Sequence, residues 1–223
     1  MIRLATLQDI DEAEKIYDEV LDYEAEHGTT TNWVKGKYPT RKTAEKALTA
    51  GTYYVGEDET GNIFGTVNLN HIQPAEYSNI PWTMEGEGDE VLVVHTLCIR
   101  PEYRGKGYAK EFMAFAENLA KEKGCKVIRL DTWEGNEPAK KMYPSLGYRL
   151  AGDTLFFFEQ VIWETLVCYE KQKKQKGRHR KENAYVKRKR GFLGKLWGSG
   201  TVSCDPYVWK MGTNAGTISG QNL

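Results

Sequence analysis

The sequence predicts an α/β domain: a mixed, mostly antiparallel central sheet flanked by helices, with a basic C-terminal tail. Three observations predict it. Apolar stripes at helical spacing alternate with short β-branched runs. Two of those runs flank a turn and form a hairpin signal. After residue 170 the composition changes abruptly. A length of 223 residues suits one such domain with an appendage, or two small domains.

The elements follow in order. Residues 2–5 read as a strand. Thr6 is placed to cap a helix over 7–26, whose stripe of Ile10, Ala13, Ile16, Tyr17, Val20 and Leu21 faces one way, and Gly28 follows its end. Residues 29–39 are irregular and carry Trp33 and Tyr38. Thr40 caps a second helix, which Gly51 stops. Strands over 52–57 and 63–71 are joined by a turn at Glu59, Thr60 and Gly61. A long loop over 73–89 holds Tyr77, Trp82, Glu85, Glu87 and Asp89. An apolar strand over 91–99 leads into a helix over 107–123 with Phe112, Phe115, Ala116, Leu119 and Ala120 inward. A strand over 126–132, a short helix over 136–146 and strands over 148–150 and 155–169 complete the domain, 1–170.

The formal net charge of zero hides a division. Residues 171–223 hold 13 Lys and Arg against 2 Asp and Glu, while residues 1–170 hold 18 against 29. An acidic body thus precedes a basic, aliphatic-poor tail, which reads as disordered or loosely docked. Such charge leaves nucleic-acid binding open as a non-enzymatic role, although basic runs are more often merely solvated. Four dispersed cysteines without a C-x-x-C pair suit a reducing compartment and offer no metal site. No apolar run approaches membrane-spanning length, and the N-terminus enters a strand without a signal-like core. A cytoplasmic protein without membrane attachment is the expectation.

The most informative stretch is 97–109, Leu-Cys-Ile-Arg-Pro-Glu-Tyr-Arg-Gly-Lys-Gly-Tyr-Ala. A strand that hands a glycine-bearing turn to a helix N-terminus exposes unpaired amides, which bind phosphate or pyrophosphate. Gly105 and Gly107 permit the positive φ that such a nest needs. The stretch is neither a Walker A loop nor a Rossmann fingerprint, since Lys110 stands where the third glycine would be.

In its wider context the turn resembles the acetyl-CoA signature of the GCN5-related N-acetyltransferase (GNAT) superfamily, Gln/Arg-x-x-Gly-x-Gly/Ala, with Arg104, Gly107 and Ala109 at its positions. A second signature follows in Asn136, Ala139, Tyr143, Gly147 and Tyr148. The resemblance covers roughly residues 2–169. It implies acetyl-CoA as cosubstrate, no metal, a primary amine of a small molecule as acceptor, and dimers, which are common in the family. It also implies that the backbone of Leu97, Cys98 and Ile99 flanks the pantetheine arm. Amides from Arg104 through Gly105, Lys106, Gly107 and Tyr108 to Ala109 would hold the pyrophosphate. Asn136 would bond the pantetheine beside Ala139, and Tyr143 would protonate the leaving thiolate.

The acceptor side is less explicit. A base is needed to neutralise the amine. His95 qualifies by its ordinary pKa and, by strand alternation, shares a face with Val93 and Leu97. Glu90 is the second candidate, and a water relay the third. Trp33, Tyr77 and Trp82 are expected to wall the acceptor, with the acidic loop drawing in a cation. A protein or peptide acceptor is the alternative, and an open groove would favour it.

Overall fold

The computed structural model of the chain describes residues 1–158 and 161–172. Its elements are β1 (Ile2–Leu4), α1 (Ile10–His27), α2 (Arg41–Thr49), β2 (Tyr53–Glu57), β3 (Ile63–Asn70), β4 (Val91–Ile99), α3 (Tyr108–Glu122), β5 (Val127–Trp133), α4 (Glu137–Ser145), β6 (Arg149–Phe158) and β7 (Ile162–Gln172). The strands form one sheet in the order β1-β2-β3-β4-β5-β7-β6. Only β4 and β5 run parallel, joined through α3, so the mixed, mostly antiparallel sheet read from the sequence is present. The last strand reaches Gln172, and the rest of the segment read as a basic tail lies outside the described residues.

Helices cover both faces because each carries one apolar stripe. α1 and α2 bury Ile10, Ile16, Tyr17 and Ala44 against Tyr53, Val55 and Cys98. α3 buries Phe112, Met113, Ala116 and Ala120 against Phe64, Leu92 and Leu130. Full burial of side chains such as Phe64 and Phe112 contributes roughly 1.5–3 kcal/mol each. Met113 takes the inward position expected of Phe115 and Leu119, which are only partly buried. At the other end of the first face, Tyr77, Ile80 and Phe156 pack on Val91, Val93 and Cys168. Thr6 opens a short 3-10 turn, Leu7–Asp9, rather than α1 itself. Asp9 then accepts from the Thr6 amide and from Arg3.

Two departures from the expected strands bear on function. β6 and β7 form one long hairpin, with Phe157 opposite Trp163 and Phe156 opposite Glu164. The turn between them lacks Gly, Pro, Asn or Asp, whereas Gly152 marks only a bulge inside β6. The second departure lies in β4. Asn68 pairs with His95 but Thr66 with Cys98, so two residues of β4, Thr96 and Leu97, fall opposite the single Val67 of β3. Thr96 adopts a φ of 49°. This bulge ends the simple alternation. Val93 faces one cluster, while Leu97 packs with Leu92 and Val94 on the other. His95 and Leu97 therefore do not share a face as the sequence implied.

Candidate active site

The strand β4 delivers the chain to α3 through a turn in which Gly105 has φ 76° and Gly107 φ 93°. A Cβ at either position would meet nothing within 4 Å, so the backbone conformation rather than crowding requires glycine there. Among the described residues, the amides of Gly105, Lys106 and Gly107 donate to no main-chain carbonyl. These amides lie at a helix N-terminus, the electropositive end of the helix dipole.

Beside the turn lies a trough of about 530 Å³. Its floor includes Leu97, Ile99, Ala139 and Met142, and Tyr143 stands at one end. Arg104, Gly105, Gly107, Tyr108, Ala109 and Asn136 also line it. A ring of amides next to an apolar trough fits a pyrophosphate carrying an alkyl arm, which is the chemistry of coenzyme A. The Arg104 guanidinium itself turns toward α1, lying 4.8 Å above the Tyr23 ring and 3.2 Å from Glu24. Lys106 lies over Tyr103. Asn136 Oδ1 accepts from the Ala139 amide at 3.1 Å and so caps α4.

The parallel pairing of β4 with β5 runs from Val91–Val127 only to Val94–Leu130. Beyond that point the strands part. The gap opens a second, narrow cavity of about 90 Å³ between Thr96 and Leu97 on one side and Asp131, Thr132 and Trp133 on the other. Trp33 and Tyr38 close it, with their rings edge-on at 5.7 Å. The Tyr38 hydroxyl bonds Thr96 at the bulge. Thr31, Leu97, Asn136 and Tyr143 line this cavity and the trough alike, so the two meet there.

The ionisable groups of the cavity are held apart by burial. Tyr143 is 5 % exposed, and burial, with the charge of Asp131, holds its phenol well above the ordinary range. Glu164, also 5 % exposed, is pushed up to about 7 by burial, against a hydrogen bond from Asn32 Nδ2 at 2.9 Å and with the charge of Asp131 adding to the rise. Burial lifts Asp131 to about 6, against the bond from Tyr77. Burial pulls His95 down to about 4, and its Nε2 lies 3.1 Å from the Ile72 carbonyl oxygen and 3.2 Å from Asn70 Oδ1. Neutral His95 therefore donates from Nε2. No Lys or Arg lines the cavity among the described residues.

Several residues singled out from the sequence fall elsewhere. Glu90 sits at the surface, paired with Lys126, which holds its carboxyl below the usual value. It lines a separate cavity with Tyr77, Trp82 and Arg129. Trp82 donates from Nε1 to the Tyr77 carbonyl and stacks under Arg129 at 4.4 Å, and neither Tyr77 nor Trp82 lines the cavity between β4 and β5. The Cys98 side chain is buried under α1, on the sheet face opposite the trough. His95 does line the cavity, but as a weak base with its Nε2 engaged.

Glu164 and Asp131 were not anticipated. Glu164 was legible in one respect: it falls in phase with Leu166 and Cys168, the inward positions of β7. A carboxylate on an inward strand position is costly unless it is used or paired. Asp131 depends on the splay of β4 and β5, and nothing in the sequence locates that. Among the described residues, no group of three His, Cys, Asp or Glu is gathered to hold a metal ion, and no helix is long and apolar enough to cross a membrane.

A glycine-bearing turn at the start of α3, a parallel strand pair that ends its pairing early and helices on both faces of the sheet are the frame of the site. The chain belongs to the Acetyltransferase (GNAT) family, whose model matches residues 13–148. A GNAT-family acetyltransferase structure from Streptococcus agalactiae 2603 superposes with a TM-score of 0.66 at 22% identity, over 78% of this chain and 96% of that one. The structure of yncA from Salmonella typhimurium, with its cofactor acetyl-CoA, gives a TM-score of 0.55 at 17% identity, over 79% and 95%. By sequence the chain is 32% identical over 94 residues to streptothricin acetyltransferase from Escherichia coli. That match takes in 41% of this chain and spans about half, 51%, of the curated relative.

Proposed function

We propose that the protein transfers an acetyl group from acetyl-CoA to a primary amine of a small cationic molecule. The observation that carries this reading is the junction at Leu97 and Tyr143, where the trough opens into the acceptor cavity. The amides of the Arg104–Ala109 turn would hold the pyrophosphate, and the trough would hold the pantetheine arm. The thioester then comes to rest at the junction.

The reaction needs a neutral amine, a donor for the oxyanion and a proton for the thiolate. Glu164 takes the ammonium proton, since its pKa near 7 lies at the working pH. The amine nitrogen attacks the thioester carbon, the C–S bond breaks to leave the amide and the thiol of CoA, and the second proton of the amine replaces the one that Tyr143 gives to the sulfur. The bulge disrupts the β3–β4 ladder at Thr96 and Leu97, and a main-chain N–H there would serve the oxyanion. Tyr143 stays protonated and donates to the departing sulfur. Asp131 and Glu164, with no Lys or Arg lining the cavity among the described residues, select a positively charged acceptor.

The small volume of the cavity, about 90 Å³, favours a small molecule over a protein segment. The name of the streptothricin relative agrees with a small-molecule acceptor. The test is release of free thiol from acetyl-CoA in the presence of a panel of diamines, polyamines, amino acids and aminoglycosides. Thiol release above the acceptor-free rate with a cationic amine supports the reading. Release only with peptides, or with none of the panel, overturns it.

A further inference from the structure

Glu24, on the last turns of α1, is a charged side chain 4 % exposed that neither cavity uses. Its carboxylate gathers donors from two places. From the loop after α1 it accepts the hydroxyls of Thr29 at 3.2 Å, Thr30, and Thr31 at 2.7 Å, together with the Thr31 amide at 3.3 Å. From the phosphate turn it accepts Arg104 at 3.2 Å. Burial would raise its pKa, but the threonine hydrogen bonds outweigh that and hold it below the usual value, so it is an anion.

The gathered loop in turn builds the acceptor side. Thr29 Oγ1 accepts the Asn32 amide at 3.0 Å, and Thr31 Oγ1 accepts the Trp33 amide at 3.3 Å. Asn32 is held at φ 60°, a conformation uncommon for a non-glycine residue. That conformation aims its Nδ2 at Glu164, 132 residues away in sequence. A loop of three threonines has no apolar anchor of its own, and the single buried carboxylate orders it.

We propose that Glu24 is a positioning residue that ties the phosphate turn to the base, through Arg104 on one side and Thr31, Asn32 and Glu164 on the other. This rests on the reading that the turn holds coenzyme A and that Glu164 is the base. The tie makes the two half-sites one unit: disturbing Glu24 disturbs both. A side chain that merely stabilises α1 would lower the melting temperature and leave Glu164 unmoved.

The groups that line the cavity with Glu164 are Asp131 on β5, His95 on β4, Tyr143 on α4 and Tyr38 in the loop before α2. Phe156 on β6 faces it across the hairpin and does not titrate. Of the hydrogen bonds here, the one from Asn32 is what lowers the Glu164 pKa. Losing it raises that pKa.

The experiment uses the full chain with 13C-carboxyl-labelled glutamate. The Glu164 signal is assigned by Glu164→Gln and titrated with pH, and coenzyme A affinity is measured by calorimetry. In Glu24→Gln the Glu164 midpoint is expected to rise by about one unit and the coenzyme A Kd to weaken roughly tenfold. Thr31→Val, which keeps the carboxylate, should move both in the same direction by less. Asn32→Ala should raise the midpoint alone. A folded Glu24→Gln or Thr31→Val protein with the Glu164 midpoint unchanged, or with coenzyme A affinity unchanged, overturns the coupling. Failure of the unaltered protein to bind coenzyme A overturns the functional reading instead, and the coupling with it.

Discussion

The Tyr77 hydroxyl donates to Asp131 Oδ2 at 2.7 Å. A residue expected to wall the acceptor with its ring thus reaches the cavity from behind, through a carboxylate. The ring itself is buried against Trp82 and Phe156. Tyr77→Phe removes the one hydrogen bond that opposes the rise of the Asp131 pKa. Its midpoint should move above 6, and the fold should lose about 1–3 kcal/mol, since a buried charged acceptor loses its partner. Denaturant titration of the two proteins measures the loss. An unchanged midpoint of unfolding would show that the bond contributes nothing.

Glu164 and His95 give opposite expectations for the pH profile. With Glu164 as base, kcat/KM climbs with pH through about 7 as its proton leaves. Glu164→Gln should lower kcat/KM by roughly a factor of 10²–10⁴ and abolish that limb. His95, held near 4, is already neutral at that pH. His95→Gln should leave the limb in place. Loss of the limb in the histidine variant would return the base to His95.

Tyr143 carries a phenol whose burial keeps it protonated well past neutral pH. Tyr143→Phe keeps the ring and its packing on Tyr148 and Tyr169. Turnover should fall by about 10²-fold or more, while the Kd for coenzyme A stays the same. A parallel loss of affinity would mean that the hydroxyl binds rather than reacts.

Gly107 caps α3 in the left-handed region. Because nothing crowds it, Gly107→Ala isolates the conformational cost, about 1–2 kcal/mol. The unfolding free energy should drop by that amount, and coenzyme A should bind more weakly because the amides no longer converge. A variant of unchanged affinity would show that the turn is not the phosphate site.

The two raised carboxyls also set a pH dependence of stability. Both pKa values lie above those of an unfolded chain, so the folded state binds more protons between the two values. The resulting stabilisation is full below about pH 4 and is lost as pH rises through 6 for Asp131 and 7 for Glu164. Asp131→Asn should therefore raise the melting temperature at pH 8 more than at pH 5. Equal shifts at both values would show that Asp131 titrates normally.

The donor half of the site was legible because its chemistry is local. A strand, two glycines and a helix start are adjacent in the chain, and the same residues meet in space. The acceptor half was not. Thr96 carries no signal for the bulge that turns His95 and Leu97 to different faces. Glu164 lies beside Asn32 only because the β6–β7 hairpin adds to the sheet next to β5. Glu24 reads as one more acid on an amphipathic helix until three threonines and an arginine converge on it.

The turn before α3 is written mainly in main-chain amides and the cavity mainly in side chains. Point substitutions reach the second and largely miss the first. On the proposed reading, lineages descended from such a fold can therefore exchange one amine for another by altering a few codons, around Trp33, Tyr38 and Asp131, while the thioester chemistry passes down untouched.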